Sequence, residues 1–519
     1  MTAAAPAAAG TAPVLNRGMI TLSIMLATII QALDGTIANV ALPHMQGSLS
    51  ASQDQISWVL TSFIVAAAIT TPLTGWLCDR FGQKNIFLAS IAGFTLASVL
   101  CGIAATLSEI VVARFAQGVF GAALVPLSQA VLLDINPREK HGSAMAVWGM
   151  GVMIGPILGP TLGGWLTDAY NWRWVFFINL PVGALALYGV WRYIPARATT
   201  RAMRFDLFGF ATLSLAIGAL QMLLDRGEQN DWFASGETWA EALLLAVSLA
   251  YFIAHTALRP AGQSFFDYRL LKNGNYVTGL LFISIVGLVL FATRALTPSL
   301  LQGLMGYPAA TAGLVTAPSG LGTMLAMMVV GRLVGRVDVR LLLTIGFALT
   351  ALSLWQMSGY TLVLSQADIV WPGVVQGIGL GLVFVPLSTA TFATLAPEMR
   401  ADGTAIYSLV RNIGSSVGIA MVQALLSRNT QVAHASLGEH LTLANPALQD
   451  PAVAAGFSLA DPSGAVALNA ELTRQASMIS YVDDFWLMFV LTLAIVPLLV
   501  LIRPSRAATA PAVDHAAME

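Results

Sequence analysis

The chain has 519 residues, 57% of them hydrophobic, and its 25 Lys and Arg with 26 Asp and Glu amount to only 10% charge. Soluble proteins carry roughly 25% charged residues, so this composition, with a mean hydropathy of +0.75, excludes a soluble enzyme, a disordered chain and a secreted disulfide scaffold. A net charge of −1 gives no reason to expect nucleic acid as a partner, and two cysteines, Cys78 and Cys101, are too few for a covalent framework.

A helix needs about 20 mostly apolar residues to cross the hydrocarbon core of a bilayer. Residues 1–17, rich in Ala and Pro, read as a disordered tail. Six spans follow, near 18–41, 57–77, 86–104, 108–132, 142–166 and 174–194, and make a first bundle over 18–194. The first is too long for a cleavable signal peptide and lacks its basic start and small-residue cleavage site. An Arg-rich link and two further spans, near 205–225 and 238–258, occupy 195–272. A second bundle, 273–502, holds spans near 275–298, 309–331, 340–362, 367–394, 403–426 and 484–502. Its longest external segment is 427–482, and 503–519 is a second tail. The expected fold is an all-α integral membrane protein of fourteen transmembrane helices, two six-helix bundles plus two inserted helices.

An even number of spans leaves both termini on one side. Eighteen of the 25 basic residues, Arg17, Arg80 and Lys84 among them, fall on that side. Four fall on the other, and Arg114, Arg294 and Arg411 lie inside spans. The excess of positive charge on cytoplasmic loops therefore predicts cytoplasmic termini. Cys78 and Cys101 sit toward opposite ends of neighbouring spans, about 22 Å apart along the helix rise, beyond disulfide reach.

The two bundles carry echoes of each other. Gly75-Trp-Leu-Cys-Asp79-Arg80, closing span two, returns 256 residues later as Gly331-Arg-Leu-Val-Gly335-Arg336, closing span ten. Gln117-Gly118 with Pro126-Leu127-Ser128 returns as Gln376-Gly377 with Pro386-Leu387-Ser388, and Gly155 with Gly159 returns as Gly414 with Gly418. Such duplications are typical of transporters whose site lies between the halves near the midplane. The inserted pair has only Asp206 and Asp225 at its ends and reads as a structural spacer.

Asp34 is the one acid read as deep within a span, and a charge at the bilayer centre is functional by default. Arg114 in span four lies at similar depth, so the two can be neighbours or share an aqueous cavity. One reading is a permanent structural ion pair. The other is a carboxyl that takes and releases a proton. Burial disfavours its charged form and a nearby guanidinium favours it, so a conformational change in either term switches its proton affinity. Gln31, one turn before Asp34, and Gln117, one turn after Arg114, project onto the same faces. Gln31, Gln117, Gln129, Gln376 and Arg411 are the polar points of a largely apolar cavity, which fits amphipathic molecules, and Arg411 can meet an anionic substrate. Arg294, near the outer end of span nine, reads as a snorkelling cation. The position aligned with Arg114 in the second half is Gly373.

Span five carries Gly151, Gly155, Pro156, Gly159, Pro160, Gly163 and Gly164. Its glycine stripe allows close helix approach, and its prolines remove ladder hydrogen bonds and predict a bend. The loop from Gly75 through Asp79, Arg80 and Gly82 to Lys84 reads either as a topology anchor or as a charge latch between halves. No phosphate-binding G-x-x-x-x-G-K-[ST] run occurs, no His/Cys cluster points to a metal, and no nucleophile–base pair points to an enzyme. No cofactor is expected beyond a proton gradient.

Leu33-Asp34-Gly-Thr36-Ile37-Ala-Asn39-Val40-Ala-Leu42-Pro43 resembles a signature of fourteen-span drug:proton antiporters of the major facilitator superfamily, the EmrB-type multidrug exporters being the nearest match. The Gly75–Lys84 loop, Arg114-Phe-Ala-Gln117-Gly118-Val-Phe-Gly121 and the span-five Gly-Pro run are similar to further signatures of that superfamily. The resemblance covers nearly the whole chain. It implies the major facilitator fold in an inner membrane and proton-driven export of amphipathic compounds by alternating access. It also implies Asp34 as protonation site, Arg114 as its modulator, and the span-five run as a seal or hinge. In Gram-negative cells it further implies a periplasmic adaptor and an outer-membrane channel as partners, with 427–482 as a docking or gating segment or a mobile loop. Gly335 departs from the loop pattern where the first half has Asp79. The competing expectations are a dedicated exporter of one metabolite, fatty acid or siderophore, and a non-transporting membrane sensor or scaffold.

Overall fold

The computed structural model describes residues 16–195, 205–259, 268–442, 445–450, 453, 456–457 and 461–502. The tails, apart from Asn16, Arg17 and nothing beyond Ile502, and most of the Arg-rich link lie outside these residues. Among the described residues, fourteen helices are long and apolar enough to cross a membrane. The first bundle holds α1 (Arg17–Ser48), α2 (Trp58–Phe81), α3 (Gln83–Ile103), α4 (Leu107–Ile135), α5 (His141–Ala169) and α6 (Trp174–Tyr193). The inserted pair is α7 (Leu207–Arg226) and α8 (Gly236–Leu258). The second bundle holds α9 (Gly274–Leu304), α10 (Ala309–Leu333), α11 (Val339–Met357), α12 (Gln366–Phe392), α13 (Arg400–Gly438) and α14 (Pro462–Leu501).

The turns follow from local chemistry. Thr106 with Glu109 opens α4 and Ser365 with Asp368 opens α12, each a reciprocal capping box that satisfies the first free backbone N–H groups. The equivalent turns after α2 and α10 place Gly82 at φ 85° and Gly335 at φ 91°, a region that glycine enters without steric cost.

The spans predicted at 403–426 and 484–502 stop short of the helices. The 39 residues of α13 reach about 58 Å at 1.5 Å per residue, well beyond a hydrocarbon core of about 30 Å. Hydropathy registers lipid contact, not helicity, so it misses the polar extensions. These run side by side outside the membrane, with Thr430 donating to Ser480 at 3.1 Å and His434 pairing with Asn469. The predicted external segment 427–482 is thus helical toward both of its ends.

The duplication has a packing basis. A Cβ on Gly155 would run into the Ala32 backbone and one on Gly159 into Thr36, so α5 lies tight against α1. Gly414 and Gly418 bring α13 equally close to Ser284 and Leu288 of α9. Gly118 abuts Phe63 on α2, and its echo Gly377 abuts Ser319 on α10. Repeated glycines therefore mark repeated helix crossings.

The bundles meet where α5 packs on α10 and α12, and where α13 packs on α2 and α4. One apolar core is continuous across both bundles and includes Trp148 of α5, Met327 of α10 and Leu387 of α12. It occupies the half of the membrane nearer the face from which Arg17 starts, called here the N-terminal face. In the other half the core divides, with Ile37, Val59 and Phe176 grouped in the first bundle and Leu296, Leu354 and Phe485 in the second. Apolar packing between the bundles is thus concentrated on the N-terminal face, and toward the far face each bundle has its own core. In the inserted pair α8 packs on α7, and α7 packs on both α2 and α13.

Candidate functional site

Asp34 is fully buried in the first bundle, and so, to within 1%, are Arg114, Gln117, Asn179 and Ser98. The Arg114 guanidinium donates to Asp34 Oδ2 at 2.6 Å and to Gln117 Oε1 at 2.7 Å. Gln117 Nε2 and Asn179 Nδ2 donate to Asp34 Oδ1 at 2.9 and 3.1 Å. Arg114 Nε donates to the Val59 carbonyl at 3.0 Å, and the guanidinium lies 4.4 Å from the centre of the Phe63 ring. Asn179 Nδ2 also donates to Ser98 Oγ, which donates to the Phe176 carbonyl. Five helices thus converge on one carboxylate. The chemistry is that of a charge held by one cation and two amides, where water is scarce and each hydrogen bond counts for more than in solvent.

The sequence brought Asp34 and Arg114 forward because both are charged. Asn179 and Ser98 escaped it, although an Asn within an apolar span carries the weaker form of the same signal. The Val59 carbonyl and the aromatic rings left no sequence signal. Gln117, expected to line a substrate cavity, instead has both ends of its amide engaged around Asp34.

The span-five glycines pack α5 along α1, the helix that carries Asp34. Thr36 donates to the Gly155 carbonyl at 3.0 Å, Gly151 faces Met25 and Gly163 faces Ile37, whereas Gly164 has open space. The helix continues through Pro156 and Pro160, whose side chains fall outside the described ones. Adding a side chain at Gly155 should push α5 off α1, and overpacking of this kind costs about 1–3 kcal/mol. Gly155→Val is therefore expected to cut export at least tenfold in a dye-efflux assay, with Gly164→Ala unchanged. Equal rates for the two variants would show that the close crossing is dispensable.

The expected latch loop lies on the N-terminal face, with Arg80 exposed and Asp79 half-buried. Lys84 donates to the Trp191 carbonyl at 2.7 Å, within its own bundle. Gly75 touches the other bundle, against Asp402 of α13. The charged link between bundles is one the sequence reading missed: Arg400 of α13 donates to Asp134 at 2.8 Å and to the Leu133 carbonyl at 3.0 Å, both on α4.

The remaining polar points are scattered. Gln31 is half-buried on α1. Gln129 is fully buried on α4 with neither end of its amide partnered, and the buried Gln376 leaves its amide nitrogen unpartnered, among the described residues. Arg411 is half-buried on α13, its closest polar contact Asn412 at 3.4 Å. Arg294 does not snorkel outward; it reaches across to Met153 Sδ of α5 at 3.8 Å. Neither arginine has an acid within ion-pair distance among the described residues. Asp34 is also not alone: α14 starts early enough to place Asp484 inside it, 1% exposed beside Tyr481 and Phe485. Cys78 and Cys101 are both buried and free.

Comparison with known proteins identifies the fold and family. The chain is 35% identical over 489 residues to the fatty acid resistance protein FarB of Neisseria gonorrhoeae, covering 93% of this chain and 96% of that protein. It is 35% identical over 474 residues to the multidrug export protein EmrB of Escherichia coli K12, covering 90% and 92%. The human organic anion transporter MFSD10 (TETRAN) shares the fold at a TM-score of 0.57 and 14% identity, covering 91% of this chain and 99% of that one. The model of the Major Facilitator Superfamily matches residues 24–419, and the chain belongs to that superfamily, in the same line as EmrB and FarB.

Proposed function

We propose that the chain is a proton-coupled exporter of amphipathic compounds that works by alternating access. The observation that carries this reading is the Asp34 cluster, a buried carboxylate whose cation partner has other places to bond. If Asp34 takes a proton, Arg114 keeps the Gln117 and Val59 oxygens and the Phe63 face. The acid can then change charge without stranding a bare guanidinium, which would cost several kcal/mol. Asp34 lies between Ala32 and Thr36, the two residues that seat α5 on α1, and α5 packs along α10 of the other bundle. A shift at the acid therefore has a packed route to the seam between bundles.

The distribution of basic residues assigns the N-terminal face to the cytoplasm, which makes this conformer outward-open in a bacterial inner membrane. The helical hairpin of α13 and α14 on the outer side is the surface we assign to an adaptor that passes substrate to an outer-membrane channel. No cofactor enters the cycle; the proton gradient drives it.

Arg294 and Arg411, two intramembrane cations without acid partners among the described residues, favour substrates that carry an acidic group, and the fatty acid resistance of FarB accords with that. Everted vesicles loaded alternately with a fluorescent fatty acid and a lipophilic cation test the whole reading. Movement of the acid should be coupled to proton release, and Arg411→Gln should slow the acid at least tenfold while sparing the cation. Cation transport alone, untouched by Arg411→Gln, would remove the acidic preference and leave proton-coupled export standing.

A further inference from the structure

The inserted helix α7 joins the two bundles where little else does. At mid-membrane, Ile217 of α7 is buried between Ala68 of α2 and Leu409 of α13, with Ile69, Leu213 and Ile413 packed around them. Further toward the far face the contact becomes polar. Ser416 of α13 donates to Gln221 Oε1 at 3.0 Å, and Gln221 Nε2 donates to Asp225 Oδ1 at 2.9 Å. The Thr61 hydroxyl of α2 lies near the same Asp225 carboxylate. A line of polar groups thus runs from the second bundle through α7 to the first, in the half of the membrane where each bundle has its own apolar core. Gln221 and Thr61 are both nearly buried, at 5% and 9% exposure.

The two attachments differ in extent. On the α2 side α7 has Ile69, Ala68 and Thr61, and Arg226 at its end lies 5.7 Å from the Trp58 ring. On the α13 side it has Leu409, Ile413 and the single Ser416 hydroxyl. When bundles rock about a central site, α2 and α13 change their separation on the far face, and a helix docked on both must slip on one. The thinner attachment gives way first.

We propose that α7 is a strap carried by α2, and that its Gln221–Ser416 contact is made in the far-face-open conformer and broken when the bundles close there. The strap sets how far the α2–α13 seam opens. This gives the inserted pair a gating role, and it rests on the alternating-access reading.

The test uses the full-length chain in a Cys78→Ala, Cys101→Ala background with Gln221→Cys and Ser416→Cys. The two cysteines are bridged by a short bifunctional methanethiosulfonate. Spin labels at the exposed Ser50 and Thr361, in far-face links of opposite bundles, report the opening by double electron–electron resonance. Without the bridge, two distance populations should exchange between acidic and alkaline buffer. With it, only the longer should remain, and efflux should fall to background and recover on reduction. A bridged protein that still exchanges between both distances overturns the strap. A single distance in the unbridged protein under all conditions overturns alternating access itself. Ser416→Ala, which removes only the Ser416–Gln221 hydrogen bond, should lower the far-face-open fraction about fivefold, the weight of one net hydrogen bond; an unchanged fraction counts against the contact as the switch.

Discussion

Asp34→Asn is expected to reduce proton release coupled to substrate movement in everted vesicles to background. The amide cannot exchange a proton, and its Nδ2 would face the donors Gln117 Nε2 and Asn179 Nδ2, which now share the Asp34 carboxylate. Removing one partner of a buried ion pair costs about 3–5 kcal/mol. The loss should lie toward the lower end, because Arg114 keeps the Gln117 and Val59 oxygens. Asp34→Asn with Arg114→Gln should then regain thermal stability without regaining transport. That split separates the two roles of the acid, as charge partner and as proton carrier. Wild-type proton release from Asp34→Asn would remove Asp34 from the mechanism and leave the cluster a structural tie.

Reversing Arg400 to Asp should shift the population away from closure on the N-terminal face. Arg400 and Asp134 are the charged clasp between bundles there, 8% exposed at the arginine. The substitution sets two carboxylates against each other and takes the guanidinium from the Leu133 carbonyl, leaving it the His141 ring nitrogen at 3.1 Å. Loss of a largely buried pair amounts to several kcal/mol, and about 5.5 kcal/mol converts a 99:1 population into its inverse. Met327→Cys offers the readout, since Met327 is buried against Gly149 across the seam. Its labelling by an impermeant maleimide in everted vesicles should rise at least tenfold in Arg400→Asp, and export should stop. Asp134→Arg combined with Arg400→Asp should restore both. If Arg400→Asp alone leaves the labelling as low as in wild type, closure there rests on apolar packing alone.

These two sites differ in how visible they were. Asp34 and Arg114 stood out because charge inside an apolar span is costly at any position, whatever surrounds it. Arg400 and Asp134 lie near span ends, where charge is cheap, and 266 residues apart, so nothing local distinguished them from topology anchors. Gln117 was recognised as a polar residue one turn from Arg114 and on its face, but its direct bond to Asp34 was not legible. Which way its amide points depends on the rotation of α4 against α1 and α6, and that is a property of packing. Arg294 was misread for the same reason, since its depth was legible and its direction across the seam was not.

The amino-acid sequence by itself determined the number of spans and their internal duplication, and brought forward the acid and the guanidinium of the first half as two charges at similar depth. Each follows from the cost of placing a given side chain in hydrocarbon, which is paid residue by residue. Only the tertiary structure decided that Asn179 completes the Asp34 cluster, that Arg400 clasps Asp134, and that α7 straps α2 to α13. Those are relations between faces of separate helices. A helix turns about 100° per residue, so an error of one or two residues in register is enough to exchange a partner for lipid.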